Sequence, residues 1–134
     1  MERLFVDTSA WFAYVNKGDP EHAATRNALR EFEGRLLTSN LVFAEVVTLC
    51  LFRLGHRTAS KVGSVLLDPD VTDLVRITAG DEDGAWRLFQ DRSDQLYSFT
   101  DCTSFHVMRR LGITKAASLD DDFLREGFQV LPSA

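Results

Sequence analysis

Two cysteines are too few for a disulfide framework, and Cys50 and Cys102 lie in apolar, helix-like sequence without the close spacing of a zinc knuckle or a redox pair. Both read as buried, reduced thiols that fill core. Histidine is as sparse. His22 and His106 have no cysteine or second histidine at ligand spacing, so neither carries a metal or base assignment. There is no long hydrophobic run. The most apolar segment, Leu41 to Phe52, is broken by Glu45 and falls short of the ~20 residues a membrane span needs. Glu2, Arg3 and Asp7 interrupt the stretch where a secretory signal would be apolar, so the expectation is a cytosolic protein with no membrane association. Positive charge is also short: the net charge of −5 excludes a simple basic clamp for nucleic acid. Repeats, linkers and low-complexity tracts are absent.

What is present is enough apolar matter for a core. With 134 residues, 45% of them hydrophobic, the chain has the size of one domain spanning residues 1–134, and a domain of this size buries roughly two-thirds of its unfolded surface. Such a core needs no structural metal, so any metal site is functional.

Arg3 to Val6 reads as a short buried strand that runs into Asp7-Thr8-Ser9, a helix-capping run followed by apolar Ala10, Trp11, Phe12 and Tyr14. Asp19-Pro20 opens a second helix that continues to Gly34, and Leu36 to Thr38 is a second strand. Ser39-Asn40 caps a long helix from Leu41 to Leu54, closed by Gly55, and another helix runs from Thr58 to Leu67. The alternation repeats with a strand at Leu74 to Ile77, a helix opened by Asp81, a strand at Leu96 to Phe99, and a helix from Asp101 to Leu111. A strand at Ala116 to Leu119, a helical turn around Phe123 and a strand at Phe128 to Val130 complete the chain. Strands alternating with helices imply an α/β fold with a mostly parallel sheet covered on both faces, because parallel neighbours need long crossovers.

In such a sheet, ligands bind beyond the carboxyl ends of the strands. Asp7, Asp101 and Asp120 each fall at a predicted strand end. Glu45 stands in the apolar stretch Leu41 to Val47, where burying a lone carboxylate is costly and calls for a cation. Taken singly, Asp7 and Asp101 are equally well read as helix caps, worth about 0.5–2 kcal/mol each, and Glu45 as the partner of an arginine. Taken together, their shared location favours one site. The acidic runs Asp68 to Asp73 and Asp81 to Asp83 read as solvated loops or caps. Clustered carboxylates need a hard cation, and their oxygens suit Mg²⁺ or Mn²⁺. Two such ions can activate a water and stabilise the leaving oxygen of a phosphodiester. Held by four carboxylates, they would bring the net charge of −5 to about −1.

Four segments carry a resemblance: Val6-Asp7-Thr8-Ser9-Ala10-Trp11, Ser39 to Glu45, Ser98 to Phe105, and Ala117-Ser118-Leu119-Asp120-Asp121-Asp122-Phe123. In order, spacing and flanking residues the chain resembles a PIN domain, closest to the VapC-like toxins, over nearly its whole length. The resemblance implies a three-layer α/β/α sandwich, Mg²⁺- or Mn²⁺-dependent endoribonuclease activity, homodimerisation, and inhibition by a small antitoxin encoded beside it. It implies Asp7, Glu45, Asp101 and Asp120 as the acidic quartet and Ser9 as the small polar position after the first acid. It leaves Thr100 or Thr103 to orient an acid or a water, and Thr8 and Ser9 can equally serve only as caps. Three successive aspartates leave the register of the fourth ligand open. Phe123, three residues on, selects Asp120 and leaves Asp122 as an outer helper. His56, with Arg53, Arg57 and Lys61 nearby, reads as a solvated turn in preference to an RNA-facing patch.

Rival readings fit less well. An aspartyl-phosphate hydrolase of the haloacid-dehalogenase type wants a second aspartate where Ser9 stands, and a receiver-type module wants paired acids near the first strand. A catalytically silent PIN-like module that binds RNA or protein is the alternative from a different class, and the complete quartet argues against it.

Overall fold

The computed structural model describes residues 1–133. Five strands, β1 (Arg3–Val6), β2 (Arg35–Ser39), β3 (Asp73–Val75), β4 (Lys115–Ala117) and β5 (Gln129–Leu131), form one sheet in the order β3-β2-β1-β4-β5. Every pairing is parallel, with Phe5 opposite Leu37 on one side and Ala116 on the other. The crossovers carry α1 (Thr8–Val15) and α2 (His22–Glu31), then α3 (Asn40–Leu54) and α4 (His56–Leu66). Then come α5 (Ala79–Asp91) and α6 (Phe99–Leu111), and finally α7 (Asp122–Arg125). The expected mostly parallel sheet is therefore wholly parallel, and the fold is the α/β sandwich anticipated. From β1 the chain builds outward through β2 to β3, then returns to the other side of β1 for β4. That reversal makes the carboxyl ends of β1 and β4 the switch point where such sheets bind ligands.

The centre of the sheet is apolar because it is covered on both faces: Leu4, Phe5, Val6, Ala116 and Ala117 are buried. Phe105 of α6 meets Phe123 of α7 edge-on with ring centroids 4.9 Å apart, and Phe5 stacks against Phe123 at 6.3 Å. Phe123 thus anchors the turn after β4 from beneath, as the spacing to Asp120 anticipates. α3 buries one stripe, Val42, Val46 and Cys50, at four-residue spacing, and Ser39 caps it by accepting from Val42 N at 3.1 Å. Cys50 and Cys102 are buried free thiols.

Two expectations need correction here. Leu96 to Phe99 is not a strand: Leu96 is fully exposed and Phe99 already belongs to α6. The Ser98 hydroxyl accepts from Asp101 N and the Asp101 carboxylate accepts from Ser98 N, so a capping box starts the helix two residues before Asp101. Asp81 caps α5 as expected, its Oδ2 accepting from Thr78 N at 2.9 Å, but it is not solvated. It lies buried in the first turn of α5, gripped by Arg110 of α6 through Nε at 2.7 Å and Nη2 at 2.8 Å, with His106 Nε2 at 3.4 Å. The Arg110 hydrogen bonds outweigh burial and hold its carboxyl at about 2. On α1, Trp11 is buried and its indole N–H reaches Thr38 Oγ1 at 3.3 Å, while Phe12 and Tyr14 are half-buried.

Candidate functional site

Asp7 leaves β1 at the centre of the sheet, where its N–H donates to Ala117 O of β4 at 3.0 Å. It occupies the N-cap position of α1, yet its side chain caps nothing. Instead Oδ2 accepts from Ser118 Oγ at 3.2 Å and from Ser9 Oγ at 3.3 Å, and the two hydroxyls stand 3.3 Å apart. Ser9 Oγ also accepts from Leu119 N at 3.0 Å, and Ser118 Oγ from Asp120 N at 3.4 Å. Two serines from different strand ends therefore stitch the first acid to the turn that carries Asp120. Ser9 was expected; Ser118 was not assigned a role, although its place one residue beyond β4 obeys the strand-end rule used for the acids.

Asp7 is 4% exposed and has no ion-pair partner among the described residues. Burial, then the Asp120 carboxylate, then Asp101, push its carboxyl from 3.8 up to about 7. Asp101 sits in the first turn of α6 and is raised to about 6, by burial first and by Asp120 and Asp122 against the restraining Ser98 hydrogen bonds. Asp120 is the most open of the three, and desolvation with the neighbouring Asp122 and Asp121 still raises it. The three aspartates thus face one another closely enough to resist ionising together. Among the described residues no three acidic, histidine or cysteine side chains are drawn in to the spacing of a finished cation cage. The donor set fits a hard divalent ion: oxygen ligands only, one of them buried without a counter-charge.

Glu45 is placed differently from expectation. It is exposed, because α3 turns Val42 and Val46 inward and Ala44, Glu45 and Thr48 outward, so burial is no argument for a cation there. Among the described residues no arginine meets it. What ties it to the site is Thr8, next to Asp7, whose Oγ1 donates to Glu45 Oε1 at 2.8 Å.

The supporting candidates divide. Thr103 is buried and its hydroxyl donates back to Thr100 O at 2.7 Å, a bond within the helix. Thr100 is half-buried beside Asp101 with no side-chain hydrogen bond found. Asp122 forms an ion pair with Arg125 at 2.8 Å, and its N–H donates to Asp120 Oδ1 at 3.0 Å, which fixes the Asp120 carboxylate from the backbone. Asp121 occupies the N-cap position of α7 with no capping bond.

The cysteine and histidine side chains are accounted for otherwise. Burial and the neighbouring Asp101 push the Cys102 thiol up to about 11. His22 Nδ1 is held on Ala13 O at 2.8 Å, His106 leans on Asp81, and His56 opens α4 at the end of α3 remote from Glu45.

Comparison with known proteins bears on the family and the fold. The PIN domain family profile matches residues 4–128. The chain is 38% identical over 125 residues, 93% of its length and 95% of the relative's, to the Mycobacterium tuberculosis protein named 23S rRNA-specific endonuclease VapC20. It is 28% identical over 116 residues to Ribonuclease VapC26 of the same organism, covering 87% of this chain and 75% of that one. The crystal structure of Mycobacterium tuberculosis VapC20, described as a sarcin-ricin loop cleaving toxin, matches with a TM-score of 0.89 over 93% of this chain and 95% of that chain. A toxin-antitoxin complex from Klebsiella pneumoniae shares the fold at a TM-score of 0.69 and 11% identity, over 96% of this chain and 95% of that one.

Proposed function

The chain belongs to the PIN-domain family, and from that premise we propose that it is a VapC-type toxin ribonuclease, a Mg²⁺- or Mn²⁺-dependent endonuclease that hydrolyses RNA phosphodiesters. The observation that carries the reading is the group of facing carboxylates at the β1/β4 switch point, with Asp7 buried and unpaired among them. Asp7, Asp101 and Asp120 would hold the cation, with Glu45 joining through the Thr8 side of the site. When bound, a divalent ion supplies Lewis acidity toward the attacking water and the scissile phosphate.

The chain's own part is orientation and charge. Ser118 and Ser9 fix the Asp7 oxygen, the capping box fixes one oxygen of Asp101 and leaves the other free, and Asp122 N–H fixes Asp120. These donors hold the acids in place so that little reorganisation accompanies the reaction. The attack is assigned in this reading to a water that the bound ion would activate.

The RNA proposed first is ribosomal RNA of the kind named for VapC20, given the shared fold and 38% identity. The proposed regulator is a small antitoxin. A groove of about 300 Å³ between α1, α2 and α4, lined by Trp11, Tyr14, Leu29, Val65 and Leu66 and rimmed by Arg30 and Lys61, suits an apolar segment flanked by acids. Such a protein works in the cytoplasm. The purified chain should cut a 23S rRNA fragment containing the sarcin-ricin loop with Mg²⁺ or Mn²⁺ and stop on addition of EDTA. Full cleavage in chelator would overturn the mechanism.

A further inference from the structure

Asp101 and Asp120 sit on separate segments, the first turn of α6 and the turn into α7, and the Asp120 carboxylate raises the proton affinity of Asp101 by repulsion. Something must hold those turns together. Behind them lies Glu126, immediately after α7, with its side chain 5% exposed. Its carboxylate accepts from Arg92 Nε at 3.0 Å and Nη2 at 3.4 Å, from Tyr97 Oη at 3.0 Å and from Arg109 Nη2 at 3.0 Å. Those donors use about all the lone pairs a carboxylate offers. Arg109 Nη2 also reaches Glu126 O at 3.0 Å, and its guanidinium lies 5.1 Å over the Phe128 ring.

The donors come from three places. Arg92 ends α5, Tyr97 precedes Ser98, the cap whose hydroxyl and N–H grip Asp101, and Arg109 lies on α6 itself. Glu126 in turn closes α7, whose first residue holds the Asp120 carboxylate through its N–H. One carboxylate therefore joins the backbone that carries Asp101 to the backbone that carries Asp120. A single arginine would satisfy a buried carboxylate. Three donor residues that converge from the segments flanking the two acids do more, because they oppose the repulsion that drives those segments apart.

We propose that Glu126 is a positioning residue that, through Tyr97, Arg92 and Arg109, sets the separation of Asp101 and Asp120 and so sets the affinity of the site for its divalent ion. This rests on the reading of the two aspartates as metal ligands. Glu126 touches neither ion nor RNA.

The test is calorimetric titration of the full chain with Mn²⁺, after circular dichroism confirms folding. Glu126→Gln, which keeps the shape and loses the charge, should weaken Mn²⁺ binding by about 10–100-fold, as loss of an outer support does, while the KM for RNA at saturating Mn²⁺ stays within about twofold. Tyr97→Phe, which removes one hydroxyl, should weaken it by a smaller factor. Arg35→Gln breaks the Arg35–Asp73 ion pair at the opposite end of the strands and should leave Mn²⁺ affinity unchanged, even if it lowers the melting temperature. Wild-type Mn²⁺ affinity in folded Glu126→Gln would overturn the assignment, and Tyr97→Phe decides in the same way should that variant fail to fold. A wild-type chain that binds no Mn²⁺ would instead overturn the ligand reading itself.

Discussion

Removing the charge of Asp7 should destroy activity and stabilise the metal-free protein. Its carboxyl is displaced from 3.8 to about 7 by burial and by Asp120 and Asp101. At about 1.4 kcal/mol per tenfold change in proton affinity, ionising it in the fold costs roughly 4 kcal/mol. The folded state therefore holds this proton more tightly than the unfolded chain, and the stability it contributes is complete below about pH 4 and lost as pH rises to about 7. Asp7→Asn cannot ionise, and its amide can donate to the Ser118 and Ser9 oxygens, at the cost of the stronger bonds those hydroxyls made to a carboxylate. A net gain of about 1–3 kcal/mol remains, or roughly 4–10 °C in melting temperature. Thermal denaturation in EDTA should show the two proteins equal near pH 4 and the variant higher above pH 7. Saturating Mn²⁺ should reverse the order, since a ligand at a thousand times its Kd contributes about 4.1 kcal/mol to the wild type alone. A variant less stable than the wild type in EDTA at pH 8 would refute the reasoning.

Asp120→Asn should abolish Mg²⁺-dependent cleavage and Asp121→Asn leave it nearly intact, with Asp122→Asn between them; Mn²⁺ titrations of folded variants would check this, and near-wild-type activity in Asp120→Asn would reverse the register. Ser118→Ala leaves Asp7 with one hydroxyl partner fewer and should lower cleavage by about 10–100-fold with the fold intact, measured as initial rates on one RNA. Gly84→Ala would drive a methyl into the His106 ring packed on that backbone and should cost about 1–3 kcal/mol, read from urea denaturation. Light scattering should give a dimer near twice 15.1 kDa, for which exposed Leu51 and Phe52 on α3 are the candidate contact; a strict monomer at micromolar concentration would count against it.

The strand-to-helix step at Asp7 was legible because Arg3 to Val6 is a short apolar run ended by a capping residue, and both signals are local. The same holds for Ser39 and α3, and for Phe123 beneath the last acid. Leu96 to Phe99 misled for an equally local reason. Leu, Tyr and Phe have the composition of a strand, but they flank a capping box, and the Ser98 to Asp101 spacing that declares it is a helix signal. Asp101 reached its place by the rule of helix caps, and the rule of strand ends was not needed. The cap reading and the site reading, posed as alternatives, coexist in one carboxylate with two oxygens.

Glu45 shows the limit of composition. An apolar stretch around an acid implies burial only if the helix is buried all round, and α3 is not: Leu51 and Phe52 face outward with it. Nothing in the order of residues 41–54 says which stripe the sheet covers, since hydrophobic residues occupy every face. The buried Asp81–Arg110 pair and the Glu126 cluster were hidden for a different reason. Their partners lie 29 residues apart in the first case and 17 to 34 in the second, and no periodicity links them. Such pairs are fixed only once α5, α6 and α7 are packed. Of the acids proposed to hold the cation, Asp7 and Asp120 obey a rule of sheet topology and Asp101 a rule of helix capping, and all three signals can be found in the sequence. The acid that holds two of them in place obeys only the packing, and its charge, like that of Asp81, reads as ordinary surface until the fold closes over it.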